Sequence, residues 1–121
     1  MSDEVNAGAA GRVDEWFAAW TVTDDSERAA LLARSVSSDV RFRDRFSAVD
    51  GLSELAPHIS AARHFMPGIR LERRGNVRHC QGTVLADWVA VGNDGQQRMS
   101  GTNVFALRLD GRIGSVVGFW N

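Results

Sequence analysis

Residues 97–120 read QRMSGTNVFALRLDGRIGSVVGFW, and this stretch decides the fold class. From Gln97 to Leu109 the side chains alternate. Met99, Gly101, Asn103, Phe105, Leu107 and Leu109 share one face, while Arg98, Ser100, Thr102 and Arg108 share the other. A period of two is the signature of a half-buried strand. Asp110-Gly111 between two strand-like runs predicts a two-residue hairpin, with Arg112–Trp120 as the returning strand. Upstream, Gly92-Asn93-Asp94-Gly95 is a loop, and Ile69–Arg74, Val77–Cys80 and Thr83–Val91 read as further strands. Within Thr83–Val91 both faces are apolar, so parity alone does not orient it. Trp88 is taken as inward and Asp87 as outward.

The first half has a different period. Val13, Trp16, Phe17 and Trp20 lie at i, i+3, i+4 and i+7, on one helical face. Asp24 followed by Glu27 fits a capping box that opens a second helix through Leu31 and Leu32. A third helix is predicted from Leu52–Ser53, carrying Leu55, Ile59, Ala62 and Met66, and stopped by Pro67-Gly68. Pro57 fits it only in the first turn. Helices first and antiparallel strands after them make an α+β domain. A curved sheet wrapped over helices leaves a pocket between the layers.

The 121 residues amount to one domain, 1–121, in which the small and acidic stretch 1–11 reads as a flexible leader. Apolar residues make up 44% and the net charge is −1. That balance lacks the basic excess of a nucleic-acid binder or of a polybasic membrane anchor. All 14 basic residues are arginine, so Schiff-base chemistry and lysine phosphate loops are excluded. No apolar run is long enough to span a membrane. A single cysteine, Cys80, points to a reducing, cytoplasmic setting.

Between the second and third helices, residues 40–46 read Val-Arg-Phe-Arg-Asp-Arg-Phe. In a strand, Val40, Phe42, Asp44 and Phe46 share one face, and Arg41, Arg43 and Arg45 the other. One carboxylate then stands on the apolar face, partly desolvated, which suits a general base. The competing reading is an ion pair or a turn cap at the strand's end. Asn103 falls on the apolar face of its own strand. A buried amide needs partners, so it either ties elements together or holds a ligand oxygen. His58 could reach the pocket mouth as a second acid–base group, or lie at the surface. His58 and His64 are six residues apart, and His79 and Cys80 point oppositely on a strand, so no metal site and no thiol nucleophile is expected. Trp16, Trp20, Trp88 and Trp120, with Phe42, Phe46, Met66 and Phe105, are candidates to line an apolar pocket or to fill the core.

Trp16 and Trp20, the run Ser38–Asp44, Gly51, Asp110-Gly111-Arg112-Ile113 and the closing Gly118-Phe119-Trp120 occur in an order that resembles the SnoaL-like branch of the nuclear transport factor 2-like superfamily, to which ketosteroid isomerase also belongs. The resemblance spans Val13 to Trp120. It implies a cone-shaped α+β barrel, with three N-terminal helices packed into a strongly curved, mostly antiparallel sheet. It also implies a deep apolar pocket and a homodimer. It implies for Asp44 the place of the isomerase's proton-shuttling base, and for Trp120 that of a pocket aromatic. Two parts of that isomerase site are missing. The chain has no Tyr, and the position of that site's second, protonated acid falls near Thr102–Asn103, where no acid stands. The expected activity is therefore binding of a small apolar carbonyl compound, turned over by Asp44 without a cofactor as an isomerase, cyclase or dehydratase, with Asn103 or His58 steadying the oxygen. The alternative is a non-catalytic ligand-binding or dimerisation domain of the same fold.

Overall fold

The computed structural model describes residues 3–121, with side chains from Gly8 onward. Helix α1 runs Asp3–Thr21, α2 Asp25–Ser35 and α3 Leu52–Phe65. The strands are β1 Val36–Arg43, β2 Ala48–Asp50, β3 Arg70–Cys80, β4 Thr83–Val91, β5 Gln97–Leu107 and β6 Ile113–Trp120. They form one curved, unclosed sheet in the order β2-β1-β6-β5-β4-β3, antiparallel except where β1 runs parallel to β6. This is the expected α+β architecture. None of the helices is long and apolar enough to cross a membrane.

The helical face read from α1 is the buried one: Val13, Trp16 and Phe17 are at most 3% exposed. The Thr21 hydroxyl bonds the Phe17 carbonyl and accepts from the Leu71 N–H at 3.0 Å, which fastens the end of α1 to β3. Asp24 caps α2 by accepting the Glu27 N–H at 2.9 Å. Arg28 of α2 is buried and bonds the Ala19 and Val22 carbonyls, Asp25 and Ser60, which locks the α1–α2 turn to α3. Trp16 stacks at 5.5 Å from Phe42 and 6.1 Å from Phe105, so helix and sheet meet through aromatic rings.

Five expectations are corrected. Residues 3–11 are not a leader but the start of α1, where Ala9 is 2% exposed in the core; alanine is a strong helix former and fits that close contact. Met1 and Ser2 lie outside the described residues. β2, absent from the sequence reading, is a three-residue edge strand, too short to carry a period. β3 is one strand rather than two, with a register shift between Arg74 and Arg78 that Gly75, at φ +78°, accommodates as a bulge. Pro57 sits in the second turn of α3, not the first. The β5–β6 connection is wider than two residues. The Arg108 N–H bonds the Arg112 carbonyl, leaving Leu109-Asp110-Gly111 as the loop with Gly111 at φ +88°. That is the three-residue hairpin, whose last position favours glycine.

Candidate active site

The site starts where β1 stops. Val40 and Phe42 point into the core at 0% and 4% exposure. After Arg43 the chain turns: the Asp44 N–H bonds the Ser47 carbonyl at 3.0 Å, and Asp44 Oδ1 accepts the Phe46 N–H at 2.9 Å. An aspartate that bonds the backbone two residues on favours such a turn over a continued strand. The alternation therefore ends at Asp44. Phe46 is 72% exposed and lies outside the cavity, its ring meeting Trp120 edge-on at 5.3 Å. This corrects Phe46 as a lining residue.

The three arginines around Asp44 are engaged elsewhere. Arg43 and Arg41 face out to Asp50, at 2.9 and 3.6 Å. The Arg43 hydrogen bond, with help from the Arg43 and Arg41 charges, holds the Asp50 carboxyl below its ordinary range against the opposing effect of burial. Arg45 lies over the Phe46 ring, 5.3 Å from its centroid. Asp44 thus has no ion-pair partner among the described residues, and its Oδ2 accepts no hydrogen bond from them.

Behind Asp44 lies a cavity of about 60 Å³ between the helices and the sheet. It brings together Asp44, Asn103, Trp16, Trp20 and Phe42, as expected, and closes with Met66, Trp88 and Trp120. The free space is small beside the few hundred Å³ usual for a ligand site. Two of its walls, however, are Met66 and Met99, side chains that re-pack easily. Phe17, Leu71, Met99 and Gly118 also line it and were not foreseen. The parity of β5 already set Met99 beside Asn103. Gly118 gave no signal, because a residue without a side chain leaves no mark in a hydrophobic pattern.

Gly118 leaves open the space between Asp44 and Asn103. A Cβ there would lie 3.0 Å from Asn103 Oδ1 and 3.5 Å from Asp44 Cβ, so both residues flank the same point. Asn103 is 6% exposed, and its Oδ1 accepts the Trp88 indole N–H at 3.0 Å. An indole nitrogen only donates, so this bond fixes the amide orientation. The Asn103 NH2 is left with no acceptor among the described residues. Asn103 thus ties β5 to β4 and still presents a donor. Trp88 is inward as expected, and Asp87 is outward, accepting from Thr102 at 2.7 Å.

Two expected site residues lie elsewhere. His58 is half-buried with its ring 6.0 Å from both Trp20 and Phe42, and it does not line the cavity. Phe105 is fully buried between Trp16 and Phe17, at 6.1 and 6.2 Å, where it fills the core beneath the cavity. His79 accepts the Gly82 N–H within the β3–β4 turn, and Cys80 is exposed. Among the described residues no three His, Cys, Asp or Glu side chains gather as a metal site.

No protein-family model and no curated protein matches the sequence. Solved structures do. A protein from Agrobacterium tumefaciens C58, described as a candidate isomerase of the SnoaL-like family, superposes with a TM-score of 0.90 at 28% identity, covering 95% of this chain and 98% of that one. A candidate SnoaL-like polyketide cyclase from Jannaschia sp. CCS1 gives 0.80 at 14% identity, over 100% of this chain and 90% of that one. A candidate polyketide cyclase from Xanthomonas campestris gives 0.71 at 21% identity, over 97% and 93%. Below a quarter identity the likeness is one of fold alone. The three-helix, curved-sheet architecture and the first of these likenesses, nearly end to end in both chains, give this protein the fold of the SnoaL-like proteins of the nuclear transport factor 2-like superfamily.

Proposed function

We propose that the protein is a cofactor-independent isomerase or cyclase acting on a small, largely apolar carbonyl compound, with Asp44 as general base and Asn103 as the donor to the developing oxyanion. The single observation that carries this reading is that Asp44, a carboxylate without an ion-pair partner among the described residues, and Asn103, an amide whose NH2 finds no acceptor among them, line the same aromatic cavity. Asp44 would take a proton from carbon next to the ligand carbonyl. The electron pair moves into the carbonyl oxygen, and the Asn103 NH2 binds the enolate. Returning the proton to another carbon gives an isomerase. Attack of the enolate carbon on a second carbonyl gives a cyclase. The aromatic walls exclude water and hold a flat ligand. The neighbours described as isomerases and polyketide cyclases support this choice of chemistry.

Two companion readings belong here. A homodimer through the outer face of the sheet is supported by Phe119 at 57% and Val117 at 36% exposure, the latter continued across β5 by Val104 and β4 by Leu85. A reducing, cytoplasmic setting fits the single free Cys80.

The test is deuterium exchange at the α-carbon of a simple activated ketone such as 2-tetralone, followed by NMR with wild type and Asp44→Asn. Asparagine can keep the turn bond to the Phe46 N–H, so the fold should survive. Exchange should fall by about 10²–10⁴-fold. Equal exchange in both proteins would leave the non-catalytic binding domain as the reading.

A further inference from the structure

Arg63, near the end of α3, is a half-buried cation without a carboxylate partner among the described residues. The described arginines that are buried or half-buried are Arg12, Arg28, Arg43, Arg63 and Arg73. Four of them pair with a carboxylate: Arg12 with Glu15, Arg28 with Asp25, Arg43 with Asp50 and Arg73 with Asp14. Arg63 has none among the described residues. Its Nη1 donates to the Ile69 carbonyl at 2.5 Å, while its Nε is buried without a partner. Burial and the nearby Arg28 charge both pull it below the ordinary arginine value, so the site is one where a guanidinium lacks an anion.

A second unsatisfied donor stands with it. The Trp20 indole N–H is buried and has no hydrogen-bond partner among the described residues. Trp20 and Arg63 both line a side chamber of about 20 Å³ under Met66, which shares Trp20, Met66 and Leu71 with the main cavity. A space of about 10–15 Å³ holds one water-sized group. The chamber thus shares apolar walls with the main cavity, and two of the residues that line it, Trp20 and Arg63, each carry a buried donor without a partner among the described residues, Arg63 with a positive charge as well.

We propose that the ligand of the main pocket is an apolar compound bearing a carboxylate, and that the carboxylate enters this side chamber between Trp20 and Arg63. The inference rests on the ligand-pocket reading above and adds the acidic end of the ligand to it. Charge-assisted bonds from a guanidinium to a carboxylate are among the stronger ones available in a buried site. They would hold the ligand at the end remote from the carbon that faces Asp44, keeping one carboxylate away from the other. Arg63 is then a specificity residue, not a catalytic one.

The experiment is isothermal titration calorimetry of the wild-type protein with phenylacetate, 3-phenylpropanoate and 4-phenylbutanoate, each against its primary amide. The best acid should bind at least about tenfold more tightly than its amide. Arg63→Gln should bring acid binding down to the amide's level and leave amide binding in place. Arg63→Lys, which can keep the bond to the Ile69 carbonyl, should retain part of the preference. In a proton–nitrogen NMR spectrum the acid should shift the Trp20 indole signal, identified by its loss in Trp20→Phe. Amides that bind as well as acids would overturn this proposal and leave the pocket reading standing. So would an acid preference that persists in both Arg63 variants. If neither series bound at all, the pocket reading would fall, and this proposal with it.

Discussion

Replacing Trp88 by phenylalanine tests the polar link on which the proposed chemistry depends. The indole N–H and Asn103 Oδ1 are 3.0 Å apart, and both residues are 6% exposed. Phenylalanine keeps a ring against β5 but removes the donor, leaving a buried amide oxygen unpaired at a cost of about 1–3 kcal/mol. The smaller ring leaves a void worth roughly 1 kcal/mol more. Together these predict a loss of about 2–4 kcal/mol, or a melting point lowered by about 8–16 °C for a chain of this length. Urea and thermal unfolding of Trp88→Phe, Asn103→Ala and the double variant complete a cycle. Each single variant strands the other's polar group, so the double variant should cost less than the two singles together, by about 1–2 kcal/mol. Trp88→Phe should also slow α-carbon exchange on the ketone, because the Asn103 amide is free to turn its oxygen toward the ligand. Additive effects to within about 0.3 kcal/mol, with unchanged exchange, would refute the claim that this bond orients Asn103.

At Gly101 an added Cβ would lie 2.2 Å from the Phe119 carbonyl and 2.5 Å from Trp88 Cζ2, so Gly101→Ala should destabilise by about 3 kcal/mol or more, read as loss of the cooperative urea transition at ambient temperature. Asp44→Asn should move the urea midpoint little, by less than about 1 kcal/mol, since the turn bond survives; a larger loss would mark Asp44 as structural. Burial raises the Glu15 carboxyl, but hydrogen bonds from Arg34 and Arg12 outweigh it and hold it below its ordinary 4.5. A carboxyl lowered in the folded state contributes stability above about pH 4.5, lost as pH falls through the folded value. Glu15→Gln should therefore flatten the acid limb of a stability–pH profile below about pH 4.5 while leaving its shape near neutrality unchanged.

Periodicity determined much of this protein. The i, i+3, i+4, i+7 face of Val13, Trp16, Phe17 and Trp20 and the alternation of Gln97–Leu107 needed no tertiary information, because each element must bury one face and the pattern of apolar residues says which. That was enough for the fold class and for most of the cavity wall. It also put Asp44 and Asn103 on inward faces. Only the tertiary structure decided the rest, since those features depend on residues far apart in sequence. The Asp44 turn sends Phe46 outward although its parity pointed in. The bulge at Gly75 makes one strand of two, and closing Leu109–Gly111 needs three residues where the dipeptide signal gave two. Gly118 has no side chain to be read, yet the space it leaves lies between Asp44 and Asn103. Whether Arg41, Arg43 or neither would neutralise Asp44 turned on the position of Asp50, seven residues from Arg43 in the chain and 2.9 Å away across an edge strand that sequence could not reveal.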